Sequence, residues 1–168
     1  MAQIQANVWS FQGTADQATT VAITSIVRNG STALVTAAGA HGFVADQAIS
    51  IQGTTVAGWT GGYKIVNVPS TTTFNINLPD YKWTLANNGA NGNLYSAAYL
   101  DMIRIEQALW DKTTAATTLL ITDVNGFPMW NPHCTVADQP YNYGKLYWIQ
   151  GLVIVTLPSG SNLQLTIN

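Results

Sequence analysis

The chain has 168 residues, 8% of them charged and 47% hydrophobic, with six Lys and Arg against eight Asp and Glu for a net charge of −2. A typical domain carries roughly 25% charged residues, whereas here Thr, Asn, Gln, Ser and 14 Gly supply the polarity. This balance excludes a basic grip on phosphate backbones and the high-charge composition of disorder. One Glu and four Lys also leave too few residues for long exposed helix faces.

The opening MAQIQANVWS lacks the basic n-region and apolar h-region of a secretory signal, so synthesis in a reducing cytoplasm is expected. Residues 1–18 hold Trp9 and Phe11 among polar neighbours with no sustained period, which reads as an N-terminal arm. Strand signals then follow in quick succession. Residues 21–28 run into Asn29-Gly30, a strong hairpin signal, and 33–36 form the return strand. His41-Gly42 begins a turn, after which Ile49 and Ile51 alternate with Ser50 and Gln52. Gly58, Gly61 and Gly62 interrupt the chain before a strand at 63–68, Pro69-Ser70 reads as a turn, and Phe74, Ile76 and Leu78 alternate with Asn75 and Asn77.

The amide- and glycine-rich stretch 87–93 reads as a linker. Residues 98–110 fit two templates: Ile103 and Ile105 alternate as in a strand, while Leu100, Ile103, Gln107 and Trp110 share one helix face. The β-rich surroundings favour a strand. Further strands are expected at 119–122, 127–130, 146–149, 152–157 and 163–167, with turns at 123–126 and 158–160. The apolar run at 152–157, interrupted by Thr156, is far short of the roughly 18 residues that cross a bilayer. Short strands at close spacing predict an all-β fold, barrel or sandwich, with units at 19–86 and 94–168 on either side of the linker. Units of this size each bury only about 60% of their unfolded surface and are expected to lean on each other or on a partner.

Chemistry-bearing clusters are sparse. Cys134 is the one cysteine, so no internal disulfide forms, and beside His133 on a strand it points to the opposite face, which does not make a metal site. Cys134 with His41 is a conceivable nucleophilic pair, but His41 before Gly42 reads as a turn residue. Among the acids Asp80, Asp101, Glu106, Asp111, Asp123 and Asp138, no spacing singles out an acid/base pair. Asp123 and Asp138 read as turn caps, and Asp101 and Glu106 as neighbours of Arg104. A non-enzymatic chain with no catalytic residue, cofactor or metal is expected. The aromatic set is richer: Trp9, Phe11, Trp59, Trp110, Trp130, Tyr141, Tyr143 and Trp148, with Trp83 and Tyr147 beside them. It admits three readings, namely sugar-stacking platforms, protein interfaces, and core packing.

The segment 37–78, containing AHGFVADQAISIQGTTVAGWTGGYKIVNVPSTTTFNINL, resembles a small β-barrel module common in tailed-phage structural proteins. His41-Gly42, Asp46, the strand 49–53, Gly61 to Val68, Pro69-Ser70 and Thr73-Phe74 match that pattern in order. Ala45 stands where the module usually has Gly, and Trp59-Thr60-Gly61 where it has Tyr-Asn-Gly. The module is also known from a half-domain of ubiquitin-activating enzymes, but the matched segment holds no cysteine to carry over. Residues 94–168, with ITDVNGFPMW and the closing GLVIVTLPSGSNLQLTIN, resemble a second virion module, a small β-sandwich. The resemblance implies a bacteriophage virion protein made in the host cytoplasm, most simply a capsid decoration or cement protein. Its partners would be the major capsid protein and further copies of itself, a trimer favoured, with no nucleic acid or membrane. A tail, neck or fibre component, or a carbohydrate- or receptor-binding module, is the alternative.

Overall fold

A computed structural model describes residues 7–13, 17–82, 84–89, 91–111, 117–134, 141–143 and 147–167. The alternating segments pair into a barrel. Strands β2 (Thr20–Asn29) and β3 (Thr32–Ala37) form the first hairpin. Asn29 pairs with Thr32, so the two-residue turn is Gly30-Ser31, with only Gly30 at positive φ (61°). That is the arrangement of a glycine-first turn rather than of Asn-Gly. Strand β5 (Gly61–Ser70) and β6 (Thr73–Asn77) form the second hairpin, turning at Thr71-Thr72 instead of at Pro69-Ser70. The ladder skips from Asn67 to Ser70, so the N–H that Pro69 lacks is not needed.

Strand β4 (Ala48–Gln52) pairs with β5, and β7 (Asn93–Ser96) pairs with both β2 and β4. The order β2-β3-β6-β5-β4-β7 therefore closes. Inward positions at every second residue, among them Ile26, Val35, Ile49, Ile65, Phe74, Ile76 and Leu94, fill the interior. Asp46 takes the left-handed conformation (φ 67°), so the glycine expected one residue earlier is dispensable and Ala45 fits.

The stretch 87–93 is not a linker. Asn88 is 2% exposed and bridges Ile26 in both directions, 2.9 and 3.0 Å, while its carboxamide accepts from Val56 N and donates to the carbonyls of Gly89 and Asn91. Amide-rich composition signals a loop, but here the amides hydrogen-bond the loop to the barrel wall. The barrel continues through Ser96, and the chain crosses to the second sheet at residues 97–98.

The second sheet has the order β1-β15-β8-β14-β10-β11. Its strands are β1 (Asn7–Gln12), β8 (Tyr99–Asp111), β10 (Leu120–Thr122), β11 (Pro128–Trp130), β14 (Tyr147–Thr156) and β15 (Asn162–Ile167). Strand β13 (Tyr141–Tyr143) also pairs with β8, and β9 (Thr117–Thr118) pairs separately with β12 (His133–Cys134). The expected N-terminal arm is corrected: Asn7–Gln12 lie antiparallel to Asn162–Ile167 as an edge strand, with Trp9 and Phe11 turned onto the core. Val8, apolar yet 59% exposed on the other face, broke the alternation that Ser10 and Gln12 otherwise make with Trp9 and Phe11. The segment 98–110 is a strand, and 146–149 with 152–157 merge into the single strand β14, bulged at Gly151 (φ 71°). Among the described residues no helix is long and apolar enough to cross a membrane.

Gly151 allows this bulge because a Cβ there would strike Val124 Cγ1 and lie 2.8 Å from the Tyr99 carbonyl. We expect Gly151→Ala to lose about 3 kcal/mol, from steric overlap and positive φ together. Gly39→Ala, whose Cβ meets nothing within 4 Å, should stay within about 0.5 kcal/mol. Urea unfolding of both variants checks this; equal stabilities would contradict the packing at Gly151.

Candidate functional site

The most elaborated part of the molecule is the seam where the second sheet meets the barrel. Between β10 and β11 the turn Asp123-Val124-Asn125-Gly126 folds over its own first residue. Asp123, 9% exposed, accepts from Asn125 N (2.8 Å) and Phe127 N (2.9 Å) through Oδ1, and from Asn125 Nδ2 (3.3 Å) through Oδ2. Such a self-capped Asx turn is what Asp two residues before Asn predicts. It does not face water, however. Val124 is 1% exposed and fills the space that side chains at Gly62 and Gly151 would need.

Polar partners complete the contact. Ser50 Oγ, fully buried on β4, donates to Val124 O at 2.7 Å, and Gln52 Nε2 donates to Ser50 Oγ and to Thr122 Oγ1. Val124 N donates to Gln150 O, Ala98 N to Leu152 O, and Ala18 N to Ile154 O. A small third core of Ala18, Val124 and Val153 lies between the two larger ones, with Tyr95 of the barrel packed against it. Apart from the Asp123 carboxylate, the seam is therefore built from uncharged hydrogen bonds and small apolar side chains.

One cation sits beside it. Lys82, 6% exposed, ends the short 3-10 turn Asp80–Lys82 and donates from Nζ to Thr60 O (3.1 Å) and Tyr63 Oη (2.5 Å). Tyr63 in turn donates to Trp59 O at 2.7 Å, and the Lys82 ammonium lies 4.6 Å from the Tyr63 ring centroid. Neither hydrogen-bond acceptor is a carboxylate, and burial pushes the Lys82 ammonium down to about 8. Burial likewise raises the Tyr63 phenol, which stays neutral. The sequence carries one signal for this site: a lysine flanked by Tyr81 and Trp83 in a chain with few cations.

The aromatic set divides. Trp59 and Trp110 are fully buried in the barrel core and the second core, and offer no surface to a partner in this fold. Trp59 Nε1 also donates to Ala86 O at 2.8 Å. Trp9 meets Tyr99 edge-on (5.2 Å, 64°) and, like Phe11 and Trp130, packs half-buried against the second core. Phe11 lines a hollow of about 200 Å³ with Ala18, Ser96 and Ile154. Trp148 is 65% exposed. Tyr141 and Tyr143 lie opposite Trp110 and Ala108 on β8, and their side chains are outside the described residues, as are Trp83 and Asp138.

The remaining candidates disperse. His41 is buried, its Nδ1 accepting from Phe43 N (2.9 Å) and its ring stacked on Phe43. Cys134 is on β12, its side chain outside the described residues. Asp80, Asp101 and Asp111 are exposed, and Asp46 pairs with Lys64 at 2.9 Å. Among the described residues no three His, Cys, Asp or Glu side chains gather where a metal could bind. Comparison of the chain with family models, with curated proteins and with solved structures returned no match.

Because Asp123 satisfies two backbone N–H groups and Ser50 one carbonyl, the seam is testable by a double-mutant cycle. Asp123→Ala is expected to cost about 2 kcal/mol and Ser50→Ala about 1 kcal/mol. The double variant should fall short of their sum by at least about 0.5 kcal/mol, since both act on the same turn. Strict additivity in urea titrations would show that the turn and β4 are not coupled.

Proposed function

We propose that this chain is a non-enzymatic structural protein of a tailed-bacteriophage virion, a capsid decoration or cement protein that bridges major capsid subunits. The observation that carries the reading is the outer face of the second sheet. Trp148 pairs with Arg104 and Gln150 with Met102 across β14 and β8, which puts these four side chains on one face. Trp148 is 65% and Met102 56% exposed. A tryptophan and a methionine standing in water beside an arginine are the residue types that enrich interface centres. Low overall charge supports the same reading, since broad surfaces with few ions desolvate at little cost.

The proposal keeps the finer architecture read from the sequence, a β-sandwich over residues 94–168, and assembly as several copies around a symmetry axis, a trimer favoured. Many repeated weak contacts then give strong attachment. Tail, neck and fibre positions are distinguished by stoichiometry. Glycan binding fits less well, because the fully buried Trp59 and Trp110 cannot join Trp148 in a groove of stacking rings.

Quantifying the chain in purified particles should give on the order of hundreds of copies per shell; a few dozen or fewer would move it to the tail or neck. Trp148→Ala should leave thermal stability within about 0.5 kcal/mol, because the side chain is mostly in water. The same change should weaken attachment to particles by about 30-fold, the loss of one hot-spot residue. Unchanged attachment, or particles equally resistant to heat and chelator once stripped of the chain, would overturn the assignment.

A further inference from the structure

Asparagine precedes glycine at four places: Asn29-Gly30, Asn88-Gly89, Asn91-Gly92 and Asn125-Gly126. At each, joining the glycine nitrogen to the asparagine Cγ closes a five-membered ring, so the covalent chain itself brings the two together. Glycine has no Cβ to hinder that closure. The fold then decides which carboxamides are free to react, and three are held. Asn88 is 2% exposed, its Oδ1 accepting from Val56 N and its Nδ2 donating to the carbonyls of Gly89 and Asn91. Asn91 accepts from Thr55 N at 3.0 Å and donates to Thr55 Oγ1 at 2.6 Å. Asn125 donates to Asp123 Oδ2, and the Gly126 N–H that would have to react is donated to Asp123 O at 3.2 Å.

Asn29 differs. Residues 27–31, at the tip of the β2–β3 hairpin, are all exposed. Among the described residues neither the Asn29 carboxamide nor the Gly30 N–H has a hydrogen-bond partner. Thr32 Oγ1 donates to the Asn29 carbonyl at 3.0 Å, which polarises the peptide unit that carries the Gly30 N–H and makes its proton easier to remove. A Cβ at Gly30 would meet nothing within 4 Å, so the turn stands clear of the barrel and can open on its own.

We propose that Asn29 is a site of spontaneous modification, converting to aspartate and isoaspartate in the folded chain while the other three Asn-Gly steps are preserved. The Gly30 nitrogen gives up its proton and attacks Asn29 Cγ. The N–Cγ bond forms, the Cγ–Nδ2 bond breaks, and ammonia leaves with that proton. Water then opens the cyclic imide at either carbonyl, giving aspartate or an isoaspartate whose main chain runs through Cβ. Water is the one co-reactant. Either product adds a carboxylate to the hairpin tip, in a chain with 8% charged residues and a net charge of −2. Isoaspartate also lengthens by one atom a turn that the Asn29–Thr32 pairing fixes at two residues. Old copies thus differ from new ones in charge and in hairpin geometry. The inference rests on this hairpin alone and holds whether or not the chain proves to be a virion protein.

Ageing the folded full-length chain in neutral buffer, followed by intact-mass measurement and peptide mapping, tests it. The chain should gain the mass difference between water and ammonia, separate on anion exchange as a more acidic species, and carry isoaspartate at position 29. Modification at Asn88, Asn91 and Asn125 should be slower by about tenfold or more, since each must first break its hydrogen bonds. Ageing in urea should bring the four rates together, which separates protection by the fold from sequence preference. Asn29→Gln, exposed and unable to close a five-membered ring, should keep its starting mass. No modification at residue 29, equal rates at the four sites in the folded chain, or an unchanged ranking in urea would overturn the proposal.

Discussion

The position of the second sheet depends on one side chain, Val124, pressed into the barrel wall. Its burial requires that residues 62 and 151 carry no side chain, since a Cβ at either would occupy its volume. Its carbonyl oxygen is held by Ser50 on the barrel and its N–H by Gln150 on β14, so one residue joins both halves. The turn also connects β10 to β11, and β10 lies against β14. Placing Val124 therefore sets how the edge of the second sheet meets the barrel. The Asp123 carboxylate makes this possible by satisfying two N–H groups that a buried turn would otherwise leave unpaired.

The composition is matched to this seam. With 8% charged residues the chain has few ions to exclude from its junctions, and Ser50, Gln52 and Thr122 hydrogen-bond there without a desolvated charge pair. The short hydroxyl side chains of Ser50 and Thr122 also lose little rotamer entropy on ordering. The contrast is Lys82, whose charge is enclosed by a phenol, a carbonyl and aromatic rings. Among the described residues two charged side chains, Lys82 and Asp123, are buried, and both stand at this junction.

Much of the barrel was legible because its strands alternate cleanly: Phe74 and Ile76 are buried while Asn75 and Asn77 are not, and every second residue of β3 is buried. The second sheet was harder because its strands are bulged. On β8 the pairing with β15 steps from Ile105 to Gln107, leaving Glu106 out of register, so the buried positions fall at Ile103, Ala108 and Trp110 with Ile105 half-buried. Spacings of two, three and two imitate one face of a helix, which is the ambiguity seen in the sequence. The same slip at Gly151 divides β14 into what reads as two strands. Neither bulge has a local signal beyond the glycine, since the extra residue is defined by the partner strand.

Site residues were less legible than strands for a related reason. Residue type identifies tryptophan as an interface former or a core former, and burial decides which, but burial is set by register. Trp148 and Ile149 are neighbours on one strand, yet one is 65% exposed and the other 3%. A single-residue slip of β14 against β8 would exchange them and abolish the exposed face on which the proposed role rests. The Gly151 bulge fixes that register, and Gly151 is packed against Val124. The outward tryptophan and the buried seam are thus consequences of one constraint: what holds the second sheet to the barrel also determines which of its aromatic side chains is left exposed.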